Sequence, residues 1–137
     1  MKVPREINFR GKSRATGEWL YGDYLRWNSA VTIIPHIKAE DIDIAKVLVI
    51  PETVGQYTGV SDRCGQPIYE GDVIEIEVVK EEFEQAVIKF GEYGNKHIGF
   101  YVYFLEEKKN EMLRQDLGYW VKKCRVTGDI FSNLEGE

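Results

Sequence analysis

The chain has 137 residues, 43% of them hydrophobic and 30% charged, with a formal net charge of −5. That length suits one domain, and that composition excludes a globally disordered chain. No stretch approaches the ~20 apolar residues that a membrane-spanning helix needs, and the opening Met1–Glu6 lacks the apolar run of a signal peptide. The expectation is therefore a soluble cytoplasmic protein whose cysteines, Cys64 and Cys124, stay reduced.

The charge is unevenly spread. Residues 1 to 27 carry six basic groups (Lys2, Arg5, Arg10, Lys12, Arg14, Arg26) against three acidic ones (Glu6, Glu18, Asp23), which leaves the remainder at −8. A basic arm that seeks a polyanion has this signature, and so does a first strand docked on an acidic body.

Ile7 and Phe9 alternate with Asn8 and Arg10, a polar turn runs from Gly11 to Gly17, and Trp19, Tyr21 and Tyr24 to Trp27 follow, a pattern that predicts a hairpin. Val31 to Ile34 and Lys46 to Ile50 are β-branched runs, stopped by Pro35 and Pro51, and read as strands. The charged Lys38 to Asp43 between them reads as a loop or a short turn of helix. Gly55, Gly59, Gly65, Pro67 and Gly71 punctuate the next segment, with strands predicted at Gln56-Tyr57-Thr58 and from Ile74 to Val79. In the second of these Ile74, Ile76 and Val78 face one way while Glu75 and Glu77 face the other, as in a strand wet on one side.

Ala86 to Phe90 and Phe100 to Leu105 continue the strand pattern. Leu105, Met112, Leu113 and Leu117 share a helical face, so Glu107 to Leu117 reads as one short helix capped by Gly118. Trp120 to Phe131 supplies one or two closing strands, and Glu135-Gly136-Glu137 should fray. Closely spaced strands with turn signals predict a mostly β, single domain over 1–137. Residues 1–50 would be a hairpin region and 51–137 a small curved antiparallel sheet, whose order of turns and strands would suit an SH3-like barrel.

Several stretches resemble the YopX family, small proteins encoded by bacteriophages and prophages. They are Arg5-Glu6-Ile7-Asn8-Phe9-Arg10-Gly11-Lys12, Gly17-Glu18-Trp19-Leu20-Tyr21-Gly22-Asp23, Pro51-Glu52-Thr53-Val54-Gly55-Gln56-Tyr57-Thr58-Gly59 and Ile68-Tyr69-Glu70-Gly71-Asp72, with Val126-Thr127-Gly128-Asp129-Ile130-Phe131-Ser132-Asn133 near the end. The resemblance implies a phage origin and a bacterial cytoplasm. It brings no catalytic residue, substrate or cofactor. The shared glycines and carboxylates are accounted for by turns, with Asp72 bonding nearby amides.

For chemistry, Cys64, Cys124, His36 and His97 make a tetrahedral number of soft ligands, but none is paired at ligand spacing, so no metal site is expected. Cys64 beside Arg63 reads as part of a turn rather than as a nucleophile. Glu70, Asp72, Glu75 and Glu77 lie close enough in sequence for hydrolytic acid–base work, though Glu75 and Glu77 point to water. No cofactor motif occurs. Arg10, Lys12 and Arg14 beside Trp19 and Tyr21 combine cations for phosphates with rings for bases, the parts of a single-stranded DNA or RNA binding module. The acidic pI of about 5.2 counts against it. Tyr101, Tyr103 and Leu105 oppose Phe100, Val102 and Phe104, so both faces of one strand need cover, and a homo-oligomer that binds a host or phage protein is the favoured reading.

Overall fold

A computed structural model describes residues 5–132. The expected fraying of Glu135 to Glu137 lies outside the described residues. The chain packs as two compact units, one holding the described residues up to Tyr57 together with Phe131 and Ser132, the other running from Thr58 to Ile130.

In the first unit the predicted hairpin forms from β1 (Phe9–Lys12) and β2 (Trp19–Trp27), with Arg10 opposite Tyr21 and Lys12 opposite Trp19. Antiparallel β3 (Ala30–Ile34) pairs with the far side of β2, and the first residues of β4 (Gly55–Ser61) pair with β1. Ile33 and Val49 are fully buried here. Gly22 permits the close approach of β2 to β3: a Cβ at that position would lie 2.1 Å from the Ile34 carbonyl oxygen. The buried Thr53 hydroxyl accepts from the Lys12 backbone N–H at 2.9 Å and donates to the Ile50 carbonyl at 2.6 Å, which anchors β1 from the side.

The strand expected over Lys46 to Ile50 is instead a single helical turn, α1 (Ile44–Val47), followed by two isolated bridges at Leu48 and Val49. The Asp43 carboxylate accepts the Ala45 N–H at 3.0 Å and starts the turn. A local cap outweighs the β preference of Val47 and Val49. The charged segment before it contains one 3₁₀ turn, Ala39–Asp41.

The second unit holds the end of β4, β5 (Pro67–Tyr69), β6 (Asp72–Val79), β7 (Glu82–Tyr93), β8 (His97–Phe104) and β9 (Cys124–Asp129). The last four make an antiparallel sheet in the order β8-β7-β6-β9. The alternation read from the sequence holds in β6, where Ile74 and Ile76 are fully buried with Ile68, Ala86, Ile88, Val102, Phe104, Leu117 and Trp120. Among the described residues β8 and β9 do not pair with each other, so the sheet stays open and does not close into the SH3-like barrel that the order of elements would suit.

Both edges of this open sheet are capped by side chains together with neighbouring backbone groups. On β9, the Asp62 carboxylate accepts the Val126 N–H at 2.8 Å, and the Arg63 N–H bonds the Cys124 carbonyl. On β8, the Asn110 side chain accepts the Phe104 N–H and donates to the Phe104 carbonyl, while the Val102 N–H bonds the Gln115 carbonyl. These bonds explain why the expected continuous helix over Glu107 to Leu117 is interrupted. It becomes α2 (Lys109–Met112), an extended Leu113, and α3 (Leu117–Trp120), in which Gly118 is internal rather than a cap. Backbone groups at Gln115 serve the sheet edge and cannot also serve a helix.

The Glu70-Gly71-Asp72 stretch forms the tight turn into β6. Gly71 has φ 91°, and the buried Asp72 carboxylate accepts the Tyr69 N–H at 2.8 Å.

Candidate functional site

Strands β7 and β8 run past β6. The β6 register on β7 ends at Val73 opposite Val87, while β7 and β8 stay paired out to Tyr93 opposite His97. From Lys89 to Tyr101 the sheet is thus a two-stranded ribbon, and its two faces differ.

Even-numbered positions continue the core face. Phe90 lies opposite Phe100, with ring centroids 5.0 Å apart, and Ile98 follows. Beyond the reach of β6 this face has little cover: Phe90 is 56% and Ile98 75% exposed. Odd-numbered positions form an aromatic row. Gly91 lies opposite Gly99, and across that bare pair Tyr93 stacks on Tyr101 at 5.2 Å, with His97 on Tyr93 at 5.5 Å. Lys89 places its ammonium 4.2 Å from the centre of the Tyr103 ring.

Beside that row lies a cleft of about 310 Å³ lined by Glu92, Tyr93, Tyr101, Tyr103, Asn110 and Gln115. Helix α2 supplies Asn110, and the α2–α3 connection supplies Gln115. Asn110 spends its amide protons on the carbonyls of Phe104 and Glu107, and Gln115 spends its own on Val102 and on Asn110 Oδ1. The Tyr101–Tyr103 side of β8, which the sequence showed to need cover, is half-buried beneath this connection, while Val102 and Phe104 lie in the core.

The five residues read from the sequence as a nucleic-acid surface fall in the first unit. Arg10, Lys12 and Trp19 do come together: the Arg10 guanidinium carbon sits 4.2 Å, and the Lys12 ammonium 5.4 Å, from the Trp19 ring centre. Both cations are buried, at 5% and 7% exposure. Trp19 is half-buried and meets Phe131 edge-on. Arg14 and Tyr21 are exposed.

The residues weighed for other chemistry are dispersed. His36 bonds Asp23 at 3.0 Å and His97 stacks on Tyr93. Cys64 is exposed, whereas Cys124 is buried, and burial pushes its thiol up to about 11. Asp72 is engaged in its turn, Glu75 pairs with Arg125 at 3.3 Å, and Glu77 accepts the Glu81 N–H. Among the described residues no three His, Cys, Asp or Glu side chains gather as metal ligands. No helix among them is long and apolar enough to cross a membrane.

The family model described as YopX protein matches residues 8–135, and the chain belongs to that family. No curated protein matches it.

Proposed function

We propose that this YopX-family chain is a non-enzymatic accessory module of a phage or prophage, acting in the bacterial cytoplasm as a self-associating scaffold that binds another protein. The observation that carries this reading is the β7–β8 ribbon. A two-stranded ribbon is marginal in water on its own, and one face of this one carries Phe90 and Ile98 to solvent. Capped edges at Asn110 and Asp62 disfavour association by strand addition over the capped positions and leave the ribbon's apolar face as the surface to cover.

Sedimentation at rising concentration tests it. The wild type should associate, and the double variant Phe90→Ser, Ile98→Glu should stay monomeric while keeping its β spectrum. A wild type that is monomeric throughout removes the scaffold reading.

Single-stranded DNA or RNA binding by the hairpin is the second reading, supported by the exposed pair Arg14 and Tyr21. With Arg10 and Lys12 held over Trp19, few phosphate contacts are offered, so any affinity should be weak and steeply salt-dependent. A labelled oligonucleotide that fails to bind at low salt eliminates it. Hydrolysis by clustered carboxylates is the least supported, since Asp72, Glu75 and Glu77 each serve a different structural bond.

A further inference from the structure

The chain is acidic as a whole, yet from Arg114 to Arg125 it carries four cations against Asp116 alone. The fold draws part of that charge onto one ring. Trp120 is buried, and its indole N–H donates to the Arg114 carbonyl at 2.6 Å, which ties the segment preceding α3 back to the helix. The Arg114 guanidinium carbon lies 4.5 Å from the centre of the Tyr119 ring, and the Lys123 ammonium, brought round by the 3₁₀ turn Val121–Lys123, lies 5.6 Å from it. Tyr119 is 46% exposed, so cations and ring reach solvent together.

The positive charge extends past the ring. Lys123 and Lys80 line one cavity of about 180 Å³ with Val78, Val79 and Glu77. Among the described residues neither lysine is in an ion pair, whereas the Glu77 carboxylate accepts the Glu81 N–H at 3.0 Å. Arg114 bonds Asp116 through one nitrogen at 2.7 Å, which leaves the rest of its N–H fork to another acceptor. Arg125 is spent on Glu75 at 3.3 Å. Three cations, Lys80, Arg114 and Lys123, therefore face solvent beside two carboxylates that are already engaged.

A ligand matched to this surface is anionic and uses a ring. An acidic peptide or a free phosphate answers the cations and leaves Tyr119 idle, and a duplex keeps its bases stacked inside. A single strand has both parts: phosphates for the lysines, and bare base faces that pack on aromatic rings and guanidinium planes.

We propose that this face of the second unit binds single-stranded DNA or RNA. A base packs against Tyr119 and Arg114, and the neighbouring phosphates sit at Lys123 and Lys80. This goes beyond the scaffold reading and is separate from the hairpin, whose Arg14 and Tyr21 belong to the first unit.

The test is anisotropy of fluorescein-labelled oligothymidylate and oligouridylate titrated into the full chain, at low and then moderate salt. At least one should bind, with a shallow salt dependence that reflects about three phosphate contacts. Lys123→Gln should weaken binding several-fold at low salt and flatten that dependence, and Tyr119→Ala should weaken it about tenfold. Lys96→Gln, which removes the same charge in the β7–β8 turn, should leave it unchanged. Equal losses from Lys96→Gln and Lys123→Gln would mean general charge attraction and would overturn the proposal. Losses confined to Arg14→Gln and Tyr21→Ala would overturn it in favour of the hairpin. An oligoglutamate peptide that displaces the oligomer and binds Tyr119→Ala as tightly as wild type would assign the patch to an acidic protein segment instead. Should Tyr119→Ala lose its fold, Lys123→Gln and Lys80→Gln decide. No binding of either oligomer at low salt defeats this site and the hairpin reading together, and leaves association through Phe90 and Ile98 untouched.

Discussion

The Asp62 carboxylate accepts the backbone N–H of Val126 at 2.8 Å, joining a tight turn to the last strand of the sheet across 64 residues of chain. Its other oxygen accepts the N–H groups of Cys64 and Gln66, each at 2.9 Å, so one buried side chain satisfies three backbone donors.

Removing it should therefore cost more than an ordinary surface substitution. Asp62→Ala strands donors that the fold has withdrawn from water, and an unfolding free energy lower by about 3 kcal/mol is expected in urea titration. Asp62→Asn keeps one acceptor oxygen and should lose less. A change below about 0.5 kcal/mol for the alanine variant would show that water replaces the carboxylate without cost.

Two glycines should respond in opposite ways to alanine. At Gly22 the new methyl group would meet the Ile34 carbonyl oxygen at 2.1 Å, so Gly22→Ala should part β2 from β3 and destabilise the first unit. At Gly118, inside α3, a Cβ meets nothing within 4 Å. Gly118→Ala should be neutral or raise the melting temperature by a few degrees, through the lower entropy of the unfolded chain. Thermal melts of the two variants side by side make the comparison.

Burial raises the Cys124 thiol from the ordinary 9.0 to about 11, while Cys64 is exposed. In native protein at mildly alkaline pH one thiol should react with a thiol reagent, and the second only after denaturation. The pH dependence follows from the direction of the shift. Between about 9 and 11 the unfolded chain gives up this proton and the folded one keeps it, so the unfolded state binds fewer protons and stability falls as pH rises. Cys124→Ala should flatten that alkaline decline. Two thiols reacting at equal rates in the native state would contradict the placement.

The basic hairpin residues should separate by role. Arg10 is buried over Trp19, so Arg10→Ala should lower stability by about 1–2 kcal/mol through lost packing and lost cation–ring attraction. Arg14 is exposed, and Arg14→Ala should stay within about 0.5 kcal/mol of wild type. Chemical denaturation of both variants reads the difference, and reversal of the two would move the buried cation to the wrong residue.

What the sequence made legible was the part written in periodicity. Ile74 and Ile76 alternating with Glu75 and Glu77 announce a strand wet on one side, and Phe9 to Trp27 announces a hairpin. Turn chemistry at Gly71 and Asp72 was readable for the same reason, since those bonds are local. Asn110 and Gln115 were not readable. Each works by bonding the backbone of another strand, six and thirteen residues back, and no spacing rule marks an amide side chain that substitutes for a strand. The burial of Arg10 and Lys12 over Trp19 was not readable either, because a cation in an alternating strand usually faces water and only the β1–β2 register brings Trp19 to them. The tyrosine cleft depends in the same way on register: Tyr93 reaches Tyr101 only because Gly91 lies opposite Gly99.

That bare rung has a mechanical meaning. Every other cross-strand pair in the ribbon can brace itself through side chains, but the Gly91–Gly99 level has none, and torsion applied at the tip concentrates there. The flat contact of Tyr93 with Tyr101 spans the gap like a splint. Parting those two rings should therefore loosen the two pairs beyond the gap, Glu92–Ile98 and Tyr93–His97, before it loosens the sheet behind them.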